Sequence, residues 1–337
     1  MKNNTVRKII IRRISCLFLL ITLLSTVFTG CESSDEISNY ESVQTQTTEN
    51  ETIKKDTDSG LGETEGEEKN MVDLVIFVGQ SNMAGRGDAL EAPVVQEGHG
   101  YEFRAASDPT RLYNISEPFG ASEDRGAVKD KKKTGSLVSA FVESYYAQTS
   151  VPIVGVSSSV GGTSINFWEA GGDALRETIL RYTTAENYLL NNGYSIRHRY
   201  MVWLQGETDG EEGMSTETYK NKLTAIFAEM NTHGIEKCMV IRIGNNSDNA
   251  KENDKIILAQ TQLCAEHDDF VLISGKLAYM AEAGLMKDKY HYKQEGYNIV
   301  GEDAGTNMAF YVNTGREPRF YDTEYENFYP YGTISNS

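Results

Sequence analysis

The feature that most constrains the fold is a repeated alternation between short apolar segments and longer amphipathic segments. The apolar segments are rich in Val, Ile and Leu, as expected for strands that are buried on both faces. They cover residues 71–79, 151–159, 198–205, 237–244 and 270–275. Apolar residues then recur at helical spacing in residues 134–149, 173–191, 215–232, 250–267 and 295–312. Strand followed by helix, repeated along the chain, predicts an α/β protein with a parallel sheet and helices on both faces.

The first 30 residues have the composition of a targeting segment. They contain five basic and no acidic residues. An apolar run covers residues 16–28 and is followed by the small residues Thr29 and Gly30. This order predicts a secretory signal peptide at 1–30. The cysteine that follows resembles a bacterial lipobox, which implies cleavage before Cys31 and a lipid on its sulfur. We expect a protein held by this lipid at the extracellular face of a bacterial membrane; the alternative is a soluble secreted protein.

Residues 31–70 are dominated by Ser, Thr, Glu, Asp and Gly, and large apolar side chains are almost absent. Such a segment cannot bury enough surface to offset its ordering entropy, so we expect a disordered acidic tether ahead of a domain at 71–337. The net charge is -17, and it becomes -22 when the five basic residues of 1–30 are removed. This charge argues against nucleic acid as a partner and against direct adsorption to an anionic membrane.

Two segments fall outside the strand–helix alternation. Residues 86–133 connect the first strand to the first helix, and a connection of that length is usually functional or contains small elements of its own. The tyrosine-rich tail at 316–337 either packs back on the domain or forms a surface on which sugars stack. Of the remaining cysteines, Cys238 and Cys264 show neither pairing nor metal spacing, and we expect two buried free thiols. The sequence has no metal-ligand cluster, and we expect no metal and no cofactor.

Polar residues follow each predicted strand at its carboxyl end, where parallel sheets place their ligands. These segments are 79–85 (GQSNMAG), 159–164 (SVGGTS), 205–209 (QGETD) and 244–247 (GNNS), together with 288–291 (DKYH), which lies further along after the fifth strand. Ser, Gly-Gly, Gln, Asp and His are therefore predicted to meet at one rim of the sheet. These are the residue types that acyl transfer requires.

The chemistry assigns a role to each of these residues. A serine hydroxyl needs an adjacent base, and His291 has the side chain best suited to that task for Ser81. Asp288, three residues before His291, can fix the tautomer of the imidazole and stabilise its protonated form. The oxyanion requires aimed donors, and the backbone N–H groups of Ser81 and Gly162 and the side-chain amide of Gln205 are the candidates.

Several neighbouring residues receive supporting or structural interpretations. We expect Asn82 to cap or orient the turn after the serine, and Glu207 and Asp209 to brace the site through hydrogen bonds. Arg86 is equally compatible with a substrate contact and with a surface salt bridge. The two tryptophans and the four other histidines receive no catalytic role. Trp203 is expected in the core and Trp168 in the core or along the cleft, whereas His99, His198, His233 and His267 are interpreted as structural or surface residues.

These segments, in this order, resemble the SGNH hydrolases. More closely, GQSNMAG (79–85), GGT (161–163), WLQGETD (203–209) and DKYH (288–291) resemble the branch that contains sialate O-acetylesterases and the acetylxylan esterases of carbohydrate esterase family six. The resemblance runs from about Met71 to Val312. It implies a three-layer α/β/α, flavodoxin-like fold with a five-stranded parallel sheet in the order 2-1-3-4-5.

The resemblance also implies Ser81 as the nucleophile, Asp288 and His291 as its partners, and Ser81, Gly162 and Gln205 as the oxyanion donors. The implied activity is removal of O-acetyl groups from a carbohydrate, either acetylated xylan or O-acetylated sialic acid. Two alternatives remain at this stage. One is a surface glycan-binding protein without catalysis, and the other is an SGNH lipase or thioesterase, against which the polar composition of residues 86–133 argues.

Overall fold

The computed structural model describes residues 70–249 and 251–319. The predicted signal peptide, Cys31 and all but the last residue of the predicted tether lie outside the described residues, as does most of the tyrosine-rich tail. No helix within the described ranges is long and apolar enough to cross a membrane.

A single sheet of seven strands forms the centre of the described part of the chain. The strands are β1 (Met71–Gly79), β2 (Gly100–Phe103), β3 (Leu112–Asn114), β4 (Ile153–Ser159), β5 (Ser195–Leu204), β6 (Lys237–Ile241) and β7 (Phe270–Ser274). Their order is β3-β2-β4-β1-β5-β6-β7. All neighbouring strands are parallel except the pair β2–β3, which is antiparallel.

The five strands predicted from apolar runs are all present, and their order, β4-β1-β5-β6-β7, is the predicted 2-1-3-4-5. β1 lies near the middle of the sheet, and residues 72–79 of this strand are buried. It pairs with β4 on one side and with β5 on the other, so its carboxyl end is surrounded by the loops that follow both neighbours. The fold class is therefore confirmed.

The predicted number of strands was wrong, because the long connection at 86–133 contributes two more. β2 and β3 form a hairpin that extends the sheet beyond β4. They have four and three residues, which is too short for a periodic pattern to be recognised. β2 also buries a charged residue, Glu102, whose carboxylate accepts hydrogen bonds from Arg104 and from the backbone N–H of Gly120.

Seven α-helices accompany the sheet in the described ranges: α1 (Ser81–Ala84), α2 (Val138–Thr149), α3 (Asp173–Asn191), α4 (Glu207–Glu211), α5 (Thr216–Asn231), α6 (Asp254–Glu266) and α7 (Gln294–Thr314). The chain moves from β1 to β4 in one direction and then back across the sheet. Right-handed crossovers therefore place α2 and α3 on opposite faces. α7 packs against α2, where Gly301 and Gly305 allow close contact, since a Cβ there would lie 2.3 and 2.2 Å from backbone oxygens of α2 and its N-cap.

The start of α2 differs from the sequence expectation, which placed it at Thr134. The helix begins at Val138, and its first turn is capped from a distance by Glu117. This carboxylate accepts hydrogen bonds from the backbone N–H and hydroxyl groups of Ser136 and Ser139. A capping partner from another segment leaves no local sequence signal, which explains the difference.

Candidate active site

The turn between β1 and α1 brings Ser81 to the carboxyl edge of the sheet. Gly79 ends the strand, and a Cβ at this position would lie 2.0 Å from the backbone oxygen of Leu204 in β5. The same oxygen accepts the backbone N–H of Gln80 at 3.1 Å. Only glycine permits this close approach, and the chain then turns directly into the short helix that begins at Ser81.

Ser81, His291 and Asp288 lie in one hydrogen-bonded line. His291 Nε2 is 3.0 Å from Ser81 Oγ, and His291 Nδ1 is 2.8 Å from Asp288 Oδ2. The serine is 6% exposed, whereas the side chains of His291 and Asp288 are 24% and 50% exposed. Although Ser81 and His291 are 210 positions apart in the sequence, the structure brings them together with Asp288 in the arrangement required to activate a hydroxyl group.

Asp288 is held as a carboxylate by its own loop. Burial acts to raise its pKa, but hydrogen bonds from the backbone N–H groups of Tyr290 and His291 and from the His291 ring lower it below its ordinary value. Both backbone bonds reach Asp288 Oδ1 at 2.9 Å. An ionised Asp288 accepts the Nδ1–H of His291, which leaves Nε2 free to take a proton from Ser81.

Asn82 connects the serine turn to the rest of the site. Its amide donates to Glu207 Oε1 and to the backbone oxygen of Tyr290, and its Oδ1 accepts the hydroxyl of Tyr297 at 2.7 Å. Burial raises the pKa of Glu207, although its hydrogen bond with Asn82 acts in the opposite direction. Asn82 and Glu207 are thus placed behind the serine. Tyr290 and Tyr297 were not anticipated, because a tyrosine or a backbone carbonyl carries no distinctive motif.

Gln205 lies beneath the site rather than in its lining. Its side chain is fully buried, and its amide nitrogen is within hydrogen-bond distance of Asp209 Oδ2, the backbone oxygen of Thr163 at 2.9 Å and Gln80 Oε1 at 3.1 Å. Three acceptors surround two amide hydrogens, so neither hydrogen is available to a ligand in this arrangement. Gln80, which the sequence analysis did not single out, links this group to the serine turn.

Asp209 ties the loop after β4 to the loop after β5. It accepts the backbone N–H of Ile165 at 3.0 Å and the amide of Gln205. Burial raises its pKa to about 6, while the hydrogen bonds from Gln205 and Ile165 act in the opposite direction. Its position agrees with the bracing role that was expected, and it makes Asp209 a group that titrates close to neutral pH.

The backbone N–H groups of Ser81 and Gly162 have no acceptor within residues 70–249 and 251–319. Both residues line the same cleft, and Gly162 has a φ of +74°, with open space of at least 4 Å where a Cβ would lie. Donors without acceptors at the edge of a cleft are available to a developing oxyanion. Two of the three predicted donors are therefore accessible and the third, Gln205, is not.

The cleft above Ser81 has a volume of about 630 Å³. Its polar lining is strongly charged and includes Arg86, Lys129, Asp130, Lys131, Lys132, Glu207, Glu211, Lys287, Asp288 and His291. Among the described residues, no group of three or more His, Cys, Asp or Glu side chains is arranged to hold a metal ion.

The structure shows the surroundings of two residues, Trp168 and Arg86, whose interpretation the sequence left open. Trp168 is fully buried, donates from Nε1 to Thr163 Oγ1 at 3.2 Å and packs edge-on against Trp203, so it belongs to the core and not to the cleft wall. Arg86 forms a salt bridge with Asp130 at 2.6 Å, and this pair lies at the edge of the cleft.

The sequence pattern of one protein family, described as carbohydrate esterase, sialic acid-specific acetylesterase, matches residues 71–309. The chain belongs to this family. Membership confirms the resemblance to the sialate O-acetylesterase branch of the SGNH hydrolases, and it identifies the protein as an esterase. A search of curated protein sequences found no match.

Solved structures with a similar fold were also found. A protein from Arabidopsis thaliana is 20% identical, has a TM-score of 0.54, and is matched over 73% of this chain and 98% of its own. A carbohydrate acetylesterase from Xanthomonas citri is 15% identical with a TM-score of 0.49, over 74% of this chain and 59% of its own. NanS is 11% identical with a TM-score of 0.49, over 73% and 99%. At these identities, the similarity to the Arabidopsis protein supports the fold alone.

Proposed function

We propose that this protein removes O-acetyl groups from a carbohydrate through an acyl-enzyme formed on Ser81. The observation that carries the proposal is the pair of hydrogen bonds at His291, 3.0 Å to Ser81 Oγ and 2.8 Å to Asp288 Oδ2. The family match supports the ester class of substrate.

The reaction follows from this geometry in two halves. Ser81 Oγ attacks the acetyl carbonyl carbon while His291 Nε2 takes the hydroxyl proton, and the sugar oxygen leaves with that proton when the tetrahedral species collapses. A water molecule then attacks the acetyl-serine, again losing a proton to His291. Collapse of the second tetrahedral species returns this proton to Ser81 and releases acetate.

The oxyanion in both halves is proposed to be bound by the backbone N–H groups of Ser81 and Gly162. Both line the cleft and neither has an acceptor in the described part of the chain. Gln205, the third donor expected from the sequence, acts in this proposal from below, by holding Gln80 and Asp209 in place. Removal of one backbone donor is expected to cost roughly 10²–10³ in rate.

The rim of the cleft favours an acidic sugar over a neutral one. It carries four lysines, all of them exposed, namely Lys129, Lys131, Lys132 and Lys287. The first three form no ion pair within the described ranges. In a chain with 49 acidic and 32 basic residues, a group of exposed lysines beside the nucleophile creates a local potential that attracts anions.

The acidic residues of the lining offset this potential only in part. Asp130 and Asp288 are paired with Arg86 and His291, and Glu207 is buried with a raised pKa. Glu211 is the remaining exposed carboxylate of the lining. We therefore favour an acetyl ester on a carboxylate-bearing sugar, such as O-acetylated sialic acid, over acetylated xylan.

The structure argues against the two alternative functions, a lipase or thioesterase and a glycan-binding protein without catalysis. A lipase or thioesterase needs a long apolar groove for its acyl chain, whereas this cleft is bordered by charged side chains. A glycan-binding protein without catalysis has no need for the hydrogen-bonded line of Ser81, His291 and Asp288.

The decisive experiment measures acetate release by the purified protein from O-acetylated sialic acid, acetylated xylan and 4-nitrophenyl acetate. Ser81→Ala should abolish release, while the exposed Ser122→Ala serves as the matched control and should leave it unchanged. Release from none of the three esters would remove the esterase proposal and favour a binding protein.

Substrate choice is tested by the triple change Lys129→Gln, Lys131→Gln and Lys132→Gln. We expect kcat/KM for the acidic sugar to fall about 10-fold or more while that for 4-nitrophenyl acetate stays within about threefold, because only the first substrate carries the charge that the lysines attract. The control removes three lysines elsewhere: Lys222, Lys251 and Lys255. An equal effect on charged and neutral esters would contradict the acidic-sugar proposal.

The location of the protein remains a proposal drawn from its sequence. We propose that the chain is cleaved before Cys31, lipidated on this cysteine and held at the outer face of a bacterial membrane by the acidic segment 31–70. Expression in a bacterial host followed by fractionation tests this, because Cys31→Ser should move the protein from the membrane fraction to the soluble fraction. An unchanged distribution would contradict the lipid attachment.

A further inference from the structure

The long connection between β1 and α2 supplies a carboxylate that contacts the Gly161–Gly162 turn. This carboxylate, Asp130, lies among exposed lysines, yet its own side chain is only 6% exposed. Its Oδ2 accepts hydrogen bonds from Arg86 Nη2 at 2.6 Å and from the backbone N–H of Gly161 at 2.8 Å. Its Oδ1 accepts the backbone N–H of Lys132 at 2.8 Å. One carboxylate thus joins three segments that are distant in sequence.

Arg86 completes this arrangement from the turn that follows the serine helix. Its Nη1 donates to the backbone oxygens of Gly85 at 2.7 Å and Lys132 at 3.0 Å. The guanidinium therefore bridges the serine turn and the lysine-rich loop while it pairs with Asp130. This use of both terminal nitrogens depends on the planar fork of arginine, which lysine cannot reproduce.

Gly161 is enclosed by this ion pair and by the nucleophile. A Cβ at this position would lie 2.2 Å from Arg86 Nη2, 3.1 Å from Asp130 Oδ2 and 3.3 Å from Ser81 Cβ. The N–H of Gly161 is used by Asp130, whereas the N–H of the next residue, Gly162, has no acceptor in the described ranges and lines the cleft. The two peptide groups meet at the Gly161 Cα, so the hydrogen bond to Asp130 restrains the short segment that carries the Gly162 N–H.

We infer that Asp130, with Arg86, is a positioning residue that holds the Gly161–Gly162 turn so that the Gly162 N–H is aimed at the oxyanion. This inference rests on the proposed function, since the oxyanion exists only if Ser81 attacks an ester. It gives the connection at 86–133 a catalytic purpose: the connection aligns the oxyanion donor, in addition to forming the wall of the cleft.

The charge state of Asp130 is consistent with this role. Burial acts to raise its pKa, but the hydrogen bond from Arg86 and those from the backbone N–H groups of Lys132 and Gly161 hold the pKa below its ordinary value. Asp130 is therefore ionised at neutral pH, and both of its oxygens act as acceptors. An amide in its place offers one acceptor oxygen, so its NH2 group faces either the Lys132 N–H or both Arg86 and the Gly161 N–H.

Asp130→Asn is the direct test. With 4-nitrophenyl acetate, we expect kcat to fall about 10- to 100-fold while KM changes less than about threefold, because a displaced donor weakens the transition state more than the ground state. Binding of a boronic acid that forms a tetrahedral adduct with Ser81 should weaken by a similar factor. Asp88→Asn, an exposed change in the same connection, is the matched control and should leave all three values unchanged.

A conservative variant protects the test against a simple loss of folding. Arg86→Lys keeps the positive charge and the pairing with Asp130. It loses the hydrogen bonds that Arg86 Nη1 donates to the backbone oxygens of Gly85 and Lys132. We expect the same pattern, a lowered kcat with an unchanged KM, at a smaller magnitude. A variant in which only KM rises would show that this pair binds substrate, and one that melts earlier but turns over normally would show a role in stability alone. Either outcome would overturn the inference.

A measurement that does not depend on activity separates this inference from the proposed function. Hydrogen exchange of the Gly161 amide, followed by NMR on protein labelled with ¹⁵N-glycine, should be slow in the wild type and at least about 10-fold faster in Asp130→Ala, which removes the acceptor of this N–H. Unchanged exchange would overturn the inference even in an active enzyme. Faster exchange in a protein that hydrolyses no ester would confirm that Asp130 holds the Gly161–Gly162 turn, but it would contradict the proposed catalytic function of the site.

Discussion

The side-chain amide of Asn82 donates a hydrogen bond to the backbone oxygen of Tyr290, 3.1 Å away and 208 positions later in the chain. Asn82 follows Ser81 directly, and Tyr290 directly precedes His291. This one contact therefore links the turn that carries Ser81 to the loop that carries His291. It gives the 3.0 Å separation of Ser81 Oγ and His291 Nε2 a structural cause.

The first prediction concerns this link. Asn82→Ala removes the bonds to Glu207, Tyr290 and Tyr297 and leaves buried polar groups without partners. We expect kcat to fall about 10-fold or more and the free energy of unfolding to fall by about 2 kcal/mol. Steady-state kinetics and urea unfolding provide the two measurements. Asn192→Ala, which removes an exposed amide–carbonyl bond, is the control, and equal effects in both variants would contradict the prediction.

The second prediction concerns Asp288. Asp288→Asn keeps the shape of the side chain but removes the anion that fixes the His291 tautomer, so we expect kcat to fall by about two to four orders of magnitude. KM should change little, because Asp288 acts on His291 and not on the bound ester. Asp268→Asn, an exposed change outside the cleft, is the control. Activity within about threefold of the wild type would show that His291 does not depend on Asp288.

The third prediction uses the pKa of Asp209, which burial raises from 3.8 to about 6. The folded protein binds this proton more tightly than the unfolded chain. The resulting stabilisation is complete below about pH 3.8 and is lost as the pH rises through about 6. Asp209→Asn lacks this contribution. The free energy of unfolding of the wild type, relative to that of the variant, should therefore fall by about 2–3 kcal/mol from pH 4 to pH 7.

Urea unfolding of both proteins at several pH values tests this directly. The other carboxyl groups are common to the two proteins, so their contributions cancel to first order in the difference. A difference that stays constant between pH 4 and pH 7 would contradict the raised pKa of Asp209.

The fourth prediction concerns the turn that presents Ser81 at the carboxyl edge of the sheet. Gly79→Ala places a Cβ 2.0 Å from the backbone oxygen of Leu204, and neither backbone can move without disturbing the β1–β5 pairing. We expect a loss of more than about 3 kcal/mol in the free energy of unfolding, or failure to fold. Gly193→Ala, at a φ of +77° with open space around it, should cost only about 1–2 kcal/mol. Similar losses in the two variants would show that the close approach at Gly79 is not limiting.

Residues that depend on local pattern were predicted well. The five strands follow from apolar runs, whereas their order was implied by the resemblance to the SGNH hydrolases, and both agree with the structure. Ser81, Asp288 and His291 lie in short segments with a distinctive composition, and the structure places them together. Asp288 and His291 are three residues apart, so their contact required no knowledge of the wider fold.

Residues whose position depends on distant contacts were predicted less well. The hairpin of β2 and β3 was missed because its strands are too short to show a period. Gln205 was expected at the oxyanion, but in the folded chain Asp209, Thr163 and Gln80 compete for its amide. Asp130 was not singled out at all, because an aspartate within a run of lysines has the pattern of a solvated loop.

The sequence by itself determined the fold class, five of the seven strands and the short segments that meet at the carboxyl edge of the sheet. Hydrophobic periodicity and short motifs depend on residues that are close together in the chain, so they can be recognised in the sequence alone. Only the tertiary structure decided which donors face the cleft and which groups hold them there. Those choices are made by hydrogen bonds such as Asn82 to Tyr290 and Gly161 to Asp130, whose partners lie 208 and 31 positions apart and meet only when the sheet has formed.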